Sequence, residues 1–117
     1  MKLSWSKLIP LDESFIALQP AKPGVYRLSY KSADGFYYVF YVGNTDSLKE
    51  SLSNHISEVE ENECIKTTIK NLECYFKATE ISDTKDRIDA VRTMIEYYKP
   101  KCNPPQTAGS VVELNFN

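Results

Sequence analysis

The sequence predicts an α+β fold: a small mixed sheet built on a β-hairpin, with helices packed on it and a short C-terminal extension. Three patterns carry that expectation. Asp34-Gly35 stands between two runs of strand-forming residues, the strongest short-range hairpin signal. Apolar residues recur at helical spacing over 48–59 and again over 88–98. Residues 72–81 alternate apolar with polar, as a strand with one buried face does.

In chain order, the lead from Trp5 to Pro23 is broken by Pro10, Pro20 and Pro23 and is expected to pack across the domain as irregular chain. Asp12 or Ser14 can cap one short turn within it. Gly24 to Tyr30 reads as the first hairpin strand and Phe36 to Val42 as the second. The second is nearly all aromatic or β-branched, which predicts burial on both faces and a central place in the sheet. Asp46 is the expected cap of a helix running to about Glu61, with Leu48, Leu52, Ile56 and Val59 on its apolar face. Residues 62–70 are ambiguous. After the third strand, Ser82 or Asp83 caps a helix ending before Pro100, with Ile88, Val91, Met94, Ile95 and Tyr98 inward. Ser110 to Phe116 is expected as a short edge strand. The organisation is thus a lead over 1–22, one domain over 23–103 and an extension over 104–117.

Composition bounds the function classes. The chain has 117 residues, room for one small domain, and its 42% hydrophobic and 26% charged residues are those of a globular protein. No apolar run approaches a membrane span, and the first residues lack the apolar stretch of a secretory signal. Cys64, Cys74 and Cys102 are odd in number and widely spaced, which argues against a disulfide framework and for a reducing, cytoplasmic setting. A net charge of −2 disfavours a strongly basic nucleic-acid binder without excluding a local basic patch.

The residues Gly24-Val25-Tyr26, then Tyr41-Val42-Gly43 on the partner strand, a helix directly after, and Pro100-Lys101-Cys102-Asn103 closing the last helix together resemble the GIY-YIG nuclease superfamily. Valine replaces isoleucine in both tripeptides, and the resemblance runs from about Pro23 to Asn103. It implies a β-β-α-β-α order and phosphodiester cleavage with one divalent metal. In that chemistry a tyrosine takes a proton from water, an arginine holds the phosphate and a glutamate binds Mg²⁺. A transition state gaining negative charge is stabilised by a metal and a fixed cation.

Carried over by position, the resemblance places Tyr26, Tyr41, His55 and Asn103 at family-matching sites. It places Ser51 where the arginine belongs and Val91 where the glutamate belongs, and Asn44 where some members have a lysine. Serine carries no permanent charge, and valine cannot ligate a metal. Asp89 and Glu96 lie roughly 160° and 140° around the helix from Val91. Arg87, one turn away on the same side, adds positive charge. From Asp46 to Glu63 six carboxylates face one lysine, which works against a polyanion.

The implied reading is a catalytically degenerate domain, a binding or structural module whose partner, DNA or protein, is open; no cofactor and no membrane is expected. The alternative is a DNA endonuclease with relocated catalytic groups, and only that alternative calls for Mg²⁺. Plainer roles stand beside these. Tyrosines in a hairpin commonly pack, a histidine at a helix edge is commonly a hydrogen-bonded boundary residue, and Asn103 suits a bond to backbone at the helix end. The run from Phe36 to Tyr41 could stack bases if exposed, although a central strand is its commoner explanation.

Overall fold

A computed structural model describes residues 3–104. Its elements are β1 (Ile9–Pro10), α1 (Glu13–Ile16), β2 (Gly24–Lys31), β3 (Tyr37–Thr45), α2 (Leu48–His55), α3 (Glu63–Asn71), β4 (Cys74–Glu80) and α4 (Thr84–Tyr98). The fold class is α+β as expected. The four strands form one sheet in the order β1-β4-β2-β3, and every pairing is antiparallel, so the sheet is not of mixed direction.

β2 is central and β3 lies at the edge, against the expectation that the aromatic run would be central. The reason is visible in its burial. Phe40 and Val42 are fully buried, whereas Phe36, Tyr37 and Tyr38 are exposed. Aromatic content at an edge strand reports side-chain preference, not position in the sheet. The turn falls where predicted, with Gly35 at φ 88°, a region that side chains avoid. Phe36 N–H donates to the Asp34 carboxylate at 2.9 Å and closes the loop.

A bulge decides which way the motif residues face. Ser29 pairs with Val39 and Leu28 with Tyr41, so Phe40 is an extra residue in β3. Without it, alternation would send Tyr41 to the opposite face from Tyr26. With it, Tyr26, Leu28, Tyr30, Phe40 and Tyr41 share one face. α1, α2 and α3 pack there through Ile16, Leu48, Leu52 and Ile65. α4 covers the other face, where Val91, Met94 and Ile95 meet Val25, Val42 and Ile81. Each such fully buried aliphatic contributes roughly 1.5–3 kcal/mol of transfer free energy.

The helix expected over 46–61 spans only Leu48–His55, and a turn takes its second half. Ser47, not Asp46, caps α2, and the helix ends at His55. Ser57 Oγ donates to the Asn54 carbonyl and accepts from Val59 N–H, so a turn replaces the next helical bonds. Val59 consequently leaves the apolar stripe and is 64% exposed. Asn62 then caps α3 in the region that was ambiguous, and Asp83 caps α4. The lead contains the two-residue β1 and the single turn α1, capped by Asp12. The expected strand Ser110–Phe116 lies outside the described residues.

The cysteine reading is corrected. Cys64 and Cys102 form a disulfide across a Cα–Cα distance of 5.3 Å, and Cys74 is free. Their separation of 38 residues gives no hint of proximity. The fold brings the start of α3 against the segment after α4, where Asn62 Nδ2 donates to the Cys102 carbonyl at 3.1 Å. The argument for a reducing compartment from unpaired cysteines therefore loses its premise. Among the described residues no helix is long and apolar enough to cross a membrane.

Candidate functional site

Tyr26 comes from near the start of β2, Tyr41 from the bulged part of β3 and His55 from the last turn of α2. Their rings converge: centroids are 6.2 Å apart for Tyr26–Tyr41, 5.5 Å for Tyr26–His55 and 5.2 Å for Tyr41–His55. Gly43 explains how the tyrosine fits. It pairs with Tyr26 across the ladder, and a Cβ there would stand 2.4 Å from Tyr26 Cζ. The glycine of the second tripeptide is the floor on which the first tyrosine lies.

Tyr26 Oη and His55 Nε2 are 2.6 Å apart, and His55 Nδ1 bonds the Glu60 carboxylate. Glu60 also accepts from Asn62 N–H at 2.8 Å, which fixes it in the turn. One proton assignment satisfies all three side chains: Nδ1–H donates to Glu60, and Nε2 accepts from the tyrosine hydroxyl. Burial holds His55 below its usual value of 6.5, opposed by the bond to Glu60. Burial, then the neighbouring Tyr41 and Glu60, holds the Tyr26 phenol well above 10, and burial followed by Glu60 raises Tyr41. Tyr26 is therefore a neutral donor and His55 a neutral acceptor. That state opposes proton abstraction from water by Tyr26, which requires a phenol whose pKa is lowered, not raised.

Asn103 does not join the three rings. Its amide oxygen accepts from Val42 N–H and its amide nitrogen donates to the Val42 carbonyl, each at 2.9 Å. Ser51 borders the site, and its hydroxyl is 2.5 Å from Thr45 Oγ1. Tyr26, Ser51, Asn54, His55, Glu60 and Glu61 surround an open depression of about 280 Å³. A larger hollow of about 650 Å³ lies away from them, between the lead and the β4–α4 turn.

Ser51 and Val91, the residues that the sequence resemblance sets against an arginine and a glutamate, offer no charge to a phosphate and no ligand to a divalent cation. Val91 has no exposure and packs on the sheet face opposite Tyr26. Its neighbour Arg87 is fully engaged. Nε donates to Asn44 Oδ1, one terminal nitrogen to the Ile81 and Ser82 carbonyls, and the other to Asp46 and Thr84. Among the described residues no three His, Cys, Asp or Glu side chains cluster as a metal site. Mg²⁺ requires hard oxygen donors, and an aliphatic core offers none.

Sequence reasoning missed Glu60, counting it only among the six carboxylates from Asp46 to Glu63. Its side chain is only 10% exposed. No periodicity announces this, because Glu60 returns to His55 only once the helix has ended. It also missed Arg87 as the tie between α4 and the β3–α2 loop.

No family model matches the sequence, and no curated protein matches it at the level that counts. Solved structures do match the fold. The GIY-YIG N-terminal endonuclease domain of UvrC from Thermotoga maritima bound to magnesium superposes with a TM-score of 0.60 at 20% identity, over 78% of this chain and 93% of that one. A tyrosine-to-phenylalanine mutant of the same domain, bound to its catalytic divalent cation, gives 0.61 at 20% identity, over 79% and 93%. A second such mutant gives 0.60 at 19%, over 78% and 93%. The hairpin with Tyr26 over Gly43, the helices on both faces and the closing Asn103 therefore build the fold of a GIY-YIG endonuclease domain.

Proposed function

We propose that this domain is a catalytically degenerate GIY-YIG-fold module that binds a partner, nucleic acid or protein, without cutting phosphodiesters. Val91 carries the reading: the position that would hold the metal-binding carboxylate is aliphatic and wholly buried. Three further observations support it. The Ser51 hydroxyl carries no charge and bonds Thr45. The nearby Arg87 is spent on five internal acceptors. The depression at Tyr26 is bordered by Glu60 and Glu61, which repel a phosphate. Tyr26, Tyr41 and His55 then serve as a packed, hydrogen-bonded remnant, and Asn103 as a clamp on β3. No cofactor belongs to this reading.

The Tyr26–His55–Glu60 chain favours one second reading, a nuclease with relocated groups, because a histidine backed by a carboxylate can receive a phenolic proton. Supercoiled plasmid incubated with the protein and Mg²⁺ or Mn²⁺ separates the two. The degenerate reading expects no nicking above buffer. Metal-dependent nicking that Tyr26→Phe abolishes would establish the second reading and remove the first.

A further inference from the structure

We propose that the α4-side face of the sheet binds single-stranded nucleic acid. The inference goes beyond the non-cleaving reading and does not rest on it, since binding here is separable from cleavage at Tyr26. α4 covers this face only at one end, over Val25 and Val42. Beside that end stand Arg27 and Lys77, at the margin of α4, then Tyr75, and at the hairpin end Lys31 with Tyr37. All five share the face, because Lys31 pairs with Tyr37, Ser29 with Tyr75 and Arg27 with Lys77.

The hairpin end of the aromatic run that was expected to be central is accessible here. Tyr37 is 44% exposed and Phe36, at the hairpin end, 66%. Tyr37 reaches across β2 to meet Tyr75 edge-on, with centroids 5.2 Å apart. Beyond them Arg27 lies over the Trp5 ring at 4.5 Å and the Tyr98 ring at 5.4 Å. Among the described residues two rings, not a carboxylate, hold that guanidinium. Lys31 is exposed and Lys77 half-buried.

Charge complementarity selects the partner. Three cations stand on this face beside stacking rings, whereas the acids of the chain concentrate near α2 and the turn after it. Two acids border the α4 end. Asp89 is bonded by Lys85 and Arg92, and Asp86 lies at the rim of the hollow beside Arg27. Glu73, at the hairpin end, accepts the Tyr75 hydroxyl. Rings flanked by cations on an open sheet suit unstacked bases with their phosphates alongside. A duplex keeps its base faces covered and gains nothing from the tyrosines.

The test is fluorescence anisotropy of a labelled oligothymidylate of about 12 nucleotides, a length within the usual single-strand site size, at low salt with EDTA present. The parent is expected to bind saturably. Tyr37→Ala with Tyr75→Ala should weaken binding about tenfold or more, while Tyr37→Phe with Tyr75→Phe, which keeps the rings, retains it. Lys31→Glu with Lys77→Glu should weaken binding and flatten its salt dependence. Lys49→Glu with Lys66→Glu, on helices across the sheet, should leave it within about twofold. Absence of parent binding overturns the proposal, as does equal loss from the Lys49/Lys66 variant. So does an oligoglutamate of equal length that displaces the DNA as well as unlabelled oligothymidylate does, since it would assign the face to an acidic protein segment. Plasmid nicking would change the reading of the Tyr26 site and leave this result untouched.

Discussion

Asn103 satisfies both backbone groups of Val42, donating to its carbonyl and accepting from its N–H, each at 2.9 Å. A side-chain amide here does the work of a neighbouring strand. Asn103→Ala leaves two ladder groups without these bonds and should cost about 1–3 kcal/mol, read as a lower urea midpoint at unchanged slope. Asn103→Asp should cost at least as much, because a carboxylate facing the Val42 carbonyl has no proton to donate.

Gly43 is held empty by Tyr26. Gly43→Ala places a Cβ about where the phenol ring is and should destabilise by about 1–3 kcal/mol or more, as overpacking does. In a Tyr26→Leu background the same substitution should cost far less. Equal cost in both backgrounds would mean that the ring does not set the requirement.

His55 gives a pH signature. Its folded-state pKa lies below 6.5, so as the pH falls the unfolded chain takes the proton first. The stability this burial contributes is complete above about 6.5 and is lost as the pH falls through the folded value. The groups facing it are Tyr26, Tyr41 and Glu60. Melting temperatures should therefore decline below that pH, and His55→Gln should remove that part of the slope.

Val91→Glu should cost about 3–5 kcal/mol, the scale of an uncompensated buried charge. Millimolar Mg²⁺ should raise the melting temperature of this variant no more than that of the parent, since the position faces aliphatic core. A Mg²⁺-specific rescue would show that a cation can reach it.

Unfolded without reductant, the chain should expose one reactive thiol, Cys74, and after reduction three. Reduction should destabilise the fold by about 2–4 kcal/mol, the usual range for a loop of this size. The Cys74 thiol, raised by burial to about 11, should react slowly in the native state.

What the sequence disclosed was whatever depends on local patterning. The hairpin turn at Asp34-Gly35, the alternation of β4 and the stripe of α4 follow from period and turn chemistry. The resemblance singled out Tyr26, Tyr41 and His55 by position, and their convergence on one site appears only in the fold. The helix break after His55 was silent in the sequence, because Ser57 and Asn62 make it through side-chain bonds that no hydrophobic period records. The extra residue at Phe40 was equally silent, yet it sets which face Tyr41 shares. Glu60 followed from that same break, and the Cys64–Cys102 bond from the docking of two segments far apart in sequence.

The two ends of the described chain share one task. β4 would present an open row of backbone groups, but Ile9–Pro10 pair with it, Ser6 N–H donates to the Ala78 carbonyl and Leu11 N–H to that of Cys74. On the opposite side Cys102 N–H donates to the Phe40 carbonyl beside the Asn103 clamp on β3. Bare strand borders template pairing with another molecule, and short, proline-bearing or covered borders resist it. Protein lacking the first dozen residues, or carrying Asn103→Ala in reduced form, is therefore expected to self-associate at concentrations where the intact chain does not. Resistance to aggregation in this domain resides in its least regular segments, not in its long strands.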